Sequence, residues 1–247
     1  MLFNRVPVIN TLPFSYQILR SKRARLVRLR VTSQHIEVIA PHDVSEQSIH
    51  RFVSEKQDWV LSTQERLKNR RENLRSLAPA TYTHGALLPY RDRSYPLVIV
   101  PVKRKKITLE FTGHFIASVP HTLLEADLHE AIRSAFTRWL KLEAKRMVAQ
   151  CVDKHAARYG LYPRSIKIKT QKSRWGSCGV YNDINLNWLL ILAPPEVLEY
   201  VVVHELCHIK HRNHSSRFWE LVAEHMPEYK TLRQWLKVNG GHLLMGL

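Results

Sequence analysis

His204-Glu205-Leu206-Cys207-His208 brings together the residue types that metal-assisted hydrolysis uses. On a helix, histidines four positions apart project from one face, one turn from each other, so both imidazoles can reach a single metal ion. In such sites a third protein ligand completes the set, and the glutamate takes a proton from a metal-bound water as it attacks a carbonyl. A chance HExxH arises in roughly one chain in twenty of this composition, and the apolar run over 198–203 directly before it adds support. That run is what a buried helix on the floor of a cleft needs. Cys207 lies about 100° around the helix from His208 and is expected to face the core.

The third ligand has several candidates. His211 shares the face of His204 and His208, yet sits about 10 Å along an unbroken helix from His204, too far for one ion to take all three. His214 completes HExxHxxxxxH, the spacing used when the helix ends after the second histidine and the chain turns back beneath the metal. No glycine lies between His208 and His214, so the turn is expected to rely on Asn213 in a left-handed conformation. Glu220, Glu224 and Glu228 are rivals on a following helix, although a solvated acidic face explains most of them. The site set is therefore His204, His208 and His214 for one zinc ion, with Glu205 as the catalytic residue.

Other elements must hold this helix. Alternation over 24–32 and 35–41 predicts a hairpin with one strongly basic face, and helical spacing over 45–73 predicts one or two exposed amphipathic helices. Strands are expected over 95–101, 107–112 and 114–120, with Lys103-Arg104-Lys105-Lys106 at a hairpin turn. A long helix over 123–159 follows, with Gly160 as its stop signal. Beyond it, a strand over 165–170, a turn over 174–179 and a strand over 183–192 precede the HExxH helix, which Pro194 or Pro195 can open. The expected fold class is α+β: a catalytic domain over 121–247, with the active helix beside a small antiparallel sheet, after a β-rich, basic N-terminal region over 1–120, the two dividing near 120 or forming one compact unit. The strand over 183–192 is the candidate edge for pairing with an extended peptide.

Arg174-Trp175-Gly176-Ser177-Cys178, Ile184-Asn185-Leu186-Asn187-Trp188, the HExxH motif and Asn213-His214-Ser215 with Phe218-Trp219 resemble, in order, the YgjP-like family of zinc metallopeptidases, related to the SprT-like and WLM groups. An N-terminal hairpin leading into a helix with a tryptophan, here Trp59, extends the resemblance over nearly the whole chain. It implies zincin-like architecture, zinc on His204, His208 and His214, and Glu205 as general base.

The 247 residues carry 38 Lys and Arg against 21 Asp and Glu, a formal charge of +17. Such a surface attracts polyanions at low salt. Arg20 to Arg30, Lys103 to Lys106 and Arg66 to Arg75 supply much of the excess, as a solvated surface or as a nucleic-acid or polyanion surface. Three cysteines without a CxxC spacing argue against a disulfide framework and for a reducing cytoplasm. No apolar run is long enough for a membrane span. The sequence thus points to a cytoplasmic zinc metallopeptidase acting on peptide or protein substrates. A metal-dependent phosphohydrolase acting on nucleoside triphosphates and a nucleic-acid-binding protein with structural zinc are the alternatives. An oxyanion-stabilising group is not chosen among Arg174, Asn213 and Tyr229.

Overall fold

Alternating burial in Ile36, Val38 and Ala40 lets one face of a short sheet bury against helices, and this organises the first of two units in the computed structural model, which describes residues 12–32, 35–72, 76–123 and 125–247. The units are 1–74 and 75–247. In the first, β1 (Gln17–Arg20), β2 (Arg28–Val31) and β3 (Ile36–Ala40) form a sheet of order β1-β3-β2. The β2–β3 pair is the expected hairpin, antiparallel with Leu29 opposite Val38; its residues 33–34 lie outside the described set. The helical segment is two helices, α1 (Glu46–Glu55) and α2 (Gln57–Glu72). Ser45 starts α1 by accepting a hydrogen bond from the Ser48 amide. Ile49, Val53 and Val60 bury against Ile18, Ile36 and Val38.

In the second unit β4 (Leu87–Tyr90), β5 (Arg93–Val102), β6 (Thr108–Phe111) and β7 (Phe115–Pro120) form a sheet of order β4-β5-β7-β6. The basic run Lys103 to Lys106 is not at a hairpin turn: β5 pairs in parallel with β7, while β6 pairs with β7, so the run lies on a connection between strands that are not neighbours. The tight hairpin is β4–β5, where Arg91 and Asp92 take φ of 51° and 61°.

The long helix α3 (Glu125–Tyr159) ends at Gly160, whose φ of 67° suits a residue without a side chain. Ile132, Phe136 and Leu140 of α3 share one core with Leu97, Phe115 and Ala117 of the sheet. A division near 120 would cut through that core, so the chain divides at 74–75 and the β4–β7 sheet belongs with the helices.

After β8 (Ser165–Lys169), the segment expected as a turn contains a short strand, β9 (Gly176–Cys178). The strand expected over 183–192 stops early: β10 (Asp183–Asn187) gives way to a 3-10 turn, Trp188–Leu192. The Asn187 side chain accepts from the Leu189 amide and caps that turn. All five of its residues are buried, which a coiled turn inside the core satisfies and a two-faced strand does not. The sheet order is β8-β10-β9, mixed rather than antiparallel, because β8 and β10 run parallel. Then α4 (Pro195–Lys210), α5 (Ser216–His225) and α6 (Tyr229–Met245) complete the chain, with Pro195 in the first turn of α4. Among the described residues no helix is long and apolar enough to cross a membrane.

Candidate active site

α4 is built to be buried. Val197, Leu198, Val201, Val202 and Val203 lie in the core, as does Cys207, whose thiol burial pushes up to about 12. The helix therefore cannot roll, and the faces of its last two turns are set. His204 and His208 project together, with ring centroids 5.0 Å apart.

The helix stops at His211, whose φ of −124° and ψ of 103° are extended. This residue, and not a left-handed Asn213, redirects the chain; positive φ outside glycine is confined among the described residues to Arg91, Asp92 and Asn182. An extended residue needs no glycine, which explains how the turn closes without one. The same residue serves the site a second way: its carbonyl accepts from His208 Nδ1 at 3.0 Å, leaving Nε2 of that ring with its lone pair free.

The turn brings His214 back beneath the helix. One ring nitrogen from each of His204, His208 and His214 lies within 4.8 Å of the others, and His204 Nε2 is 3.0 Å from His214 Nε2. Two nitrogens on one tetrahedral zinc, each bonded at about 2.0–2.1 Å, would stand about 3.3 Å apart. The donors therefore suit a single borderline-soft cation. Burial, then the charges of His208, His214 and Arg233, holds the His204 imidazole down to about 3, so it is neutral and able to donate a lone pair. His211 stays out of the cluster, and Glu220, Glu224 and Glu228 are exposed on or just beyond α5.

Aromatic rings hold His214 from below. Trp219 stacks on it with centroids 5.5 Å apart and 23° between planes, and Tyr229 stacks on Trp219 in turn at 5.4 Å and 15°. The Arg233 guanidinium lies 4.7 Å from the Trp219 ring centre. Phe218 stacks on His208 at 4.5 Å. In the sequence Phe218 and Trp219 stand out only through the family resemblance and Tyr229 only as an oxyanion candidate; stacking between α5, α6 and a loop leaves no local signal.

Glu205 is 5% exposed and points toward β9. Burial pushes its carboxyl up to about 7, against the opposing charge of Arg174. A Cβ on Gly176 would fall 2.5 Å from Glu205 Oε1, so glycine there is what lets the carboxyl reach its position. Trp175 sits beside it, packed so closely on Gly240 of α6 that a Cβ at Gly240 would meet the indole at 3.0 Å.

The strand expected to bind peptide is not an edge: β10 is central, paired on both sides. The free edge next to Glu205 is β9. Trp175 O accepts from Asn187 N and Gly179 N donates to Asp183 O, so alternation turns the main-chain groups of Gly176 and Cys178 away from β10, toward that edge. Arg212 ties the loop after β9 to the loop before His214, donating to Gly179 O at 2.8 Å and to Asn182. Tyr229 is buried in its stack, whereas Arg174 and Asn213 are exposed.

No curated protein matches the chain. Among solved structures, the crystal structure of the metallopeptidase zymogen of Pyrococcus abyssi abylysin is similar at 24% identity and a TM-score of 0.32, over 38% of this chain and 94% of that one. The model of the YgjP-like metallopeptidase domain matches residues 25–239, which takes in both units, the HExxH helix and the His214 turn, and the chain belongs to the YgjP-like metallopeptidase family.

Proposed function

We propose that this metallopeptidase holds one zinc ion on His204, His208 and His214, and cleaves peptide bonds with Glu205 as the proton-transfer residue. The observation that carries the reading is the convergence of three imidazoles beside a buried carboxyl that touches a free strand edge. Zinc in such a site supplies Lewis acidity, activating a water and polarising a carbonyl. The chain supplies the rest. Glu205, buried and with a raised proton affinity, takes the proton from the attacking water and returns it to the departing amine. The outward amides and carbonyls of Gly176 and Cys178 pair with an extended peptide and lay its scissile bond across the site with little demand on side chains.

A second reading, hydrolysis of nucleoside triphosphates, is favoured by a different observation. Arg174, just before β9, and Arg233 of α6 are exposed and close enough to act electrostatically on Glu205 and His204 respectively. Two guanidinium groups near the site suit phosphate oxygens as well as acidic peptides. Elemental analysis of the purified protein, with casein and a nucleoside triphosphate panel as substrates, separates the two. One equivalent of zinc with peptide release upholds the first reading; phosphate release without peptide cleavage replaces it.

Two further outcomes follow from the supports of the site. Gly176→Ala is expected to keep zinc and fold, yet lose about a hundredfold in kcat, since the new methyl displaces the Glu205 carboxyl by an ångström or more. Unchanged kcat would separate Gly176 from the chemistry. Trp219→Leu is expected to weaken zinc binding about tenfold in competition with a chromogenic chelator, and Trp219→Phe to restore most of it, because the ring fixes His214.

A further inference from the structure

Away from the active site, one face of the second unit gathers cations that form no close ion pair among the described residues. Arg138, Lys141 and Lys145 are exposed on a single face of α3, spread over about 10 Å at 1.5 Å per residue. Lys167 and Lys169 are exposed on one side of β8, an edge strand, about 7 Å apart. A groove of about 550 Å³ runs between helix and strand, lined by Lys145, Ala149, Lys167 and Lys169 with Val148 and Ile168. A second groove of about 620 Å³, further toward the start of α3, is lined by Glu130, Arg133, Ser134, Thr137, Arg138 and Lys141. Trp188 links helix and strand: Lys141 Nζ lies 5.5 Å from its ring centre, and its indole donates to Thr170 Oγ1, next to Lys169, at 3.0 Å.

The acids nearest this face have closer partners of their own. Glu143 bonds Tyr90, Arg91 and Arg146 on the opposite side of α3; Glu130 pairs with Arg133; Asp183 is taken by Arg164 and Ser165. Among the described residues none of Arg138, Lys141, Lys145, Lys167 and Lys169 has an ion pair. Like charges held together on rigid elements repel, and a polyanion relieves that repulsion by displacing its own counterions.

We infer that this face of α3 and β8 docks the phosphate backbone of double-stranded nucleic acid. Cations spread over about 10 Å of α3 and about 7 Å of β8 can each meet a phosphate of a regular array. A single strand would need exposed rings on which bases stack, and the one ring of the groove, Trp188, is only 6% exposed. A lipid surface would call for apolar side chains to insert, and the strip presents one exposed large apolar residue, Leu142. The segment over 170–174 leads from this strip to Trp175 and Gly176, so a bound duplex would lie on the sheet that carries the active-site strand.

The test is fluorescence anisotropy of a labelled duplex DNA with the full-length, zinc-loaded protein between 50 and 200 mM salt. Four phosphate contacts give a log–log slope of about −3.6, a loss of roughly 150-fold over that range. Lys141→Gln/Lys145→Gln/Lys167→Gln/Lys169→Gln is expected to weaken binding at 50 mM salt at least a hundredfold and to flatten the slope by about 3–4. Lys103→Gln/Arg104→Gln/Lys105→Gln, in the other basic run, is expected to change it less than threefold. If the fourfold variant unfolds at a lower temperature than wild type, Lys167→Gln/Lys169→Gln, both on an exposed edge, carries the test with a slope reduced by about 2. Wild-type binding by the strip variants, loss confined to the 103–105 variant, tighter binding of a single strand of equal length, or binding to phosphatidylserine vesicles but not to duplex would each overturn the inference.

Discussion

Glu205→Gln is expected to retain one equivalent of zinc and to lose peptide hydrolysis by about a thousandfold, equivalent to about 4 kcal/mol of transition-state stabilisation. Glutamine has the same shape, so it fits the space left by Gly176 without displacing β9. It cannot take a proton at neutral pH. The carboxyl it replaces is buried, and burial raises its proton affinity to about 7, near the value a residue needs if it is to accept a proton and then give it up. Because Glu205 is not one of the three clustered imidazoles, metal content by elemental analysis and kcat on a peptide substrate are expected to part company. A variant with full activity would remove Glu205 from proton transfer; one that lost zinc would make it a support of the metal instead.

His214→Ala is expected to leave the protein with less than a tenth of an equivalent of zinc after dialysis, and with no measurable hydrolysis. Two imidazoles on one helix cannot by themselves enclose a tetrahedral ion, and the residue removed is the one that arrives from the other side. His211→Ala is the informative control. Its side chain lies outside the cluster, and its contribution is a main-chain carbonyl on His208 Nδ1, which alanine keeps. Zinc is therefore expected to stay in His211→Ala and to leave in His214→Ala. Unchanged zinc affinity in His214→Ala would return the third position to a residue such as Glu220 or Glu224.

The α4 motif and the long helix ending at Gly160 are legible from spacing, because helix geometry ties sequence separation to direction over one or two turns, whereas His214 lies beyond the helix and its place beside His204 and His208 depends on the turn. Both helices of the first unit and its β2–β3 hairpin were legible for the same reason, their periodicities being local. The peptide-binding edge was misread. Asp183 to Leu192 is apolar enough to be a strand throughout, yet which strand lies at the edge depends on partners, and β8, more than a dozen residues upstream, occupies one side of β10. β9 is three residues long, below the length at which alternation can be recognised. The turn to His214 was expected from a left-handed asparagine and is made by an extended histidine.

Residue type and local spacing thus settle which side chains can bind a metal and on which face of a helix they stand, since both follow from chemistry and a fixed rise per residue. Which strand edge faces Glu205, why position 176 must lack a side chain, and what holds His214 from below depend on contacts between segments far apart in the chain. Those contacts form only when α5, α6 and β9 pack around α4, and no short window of sequence contains them.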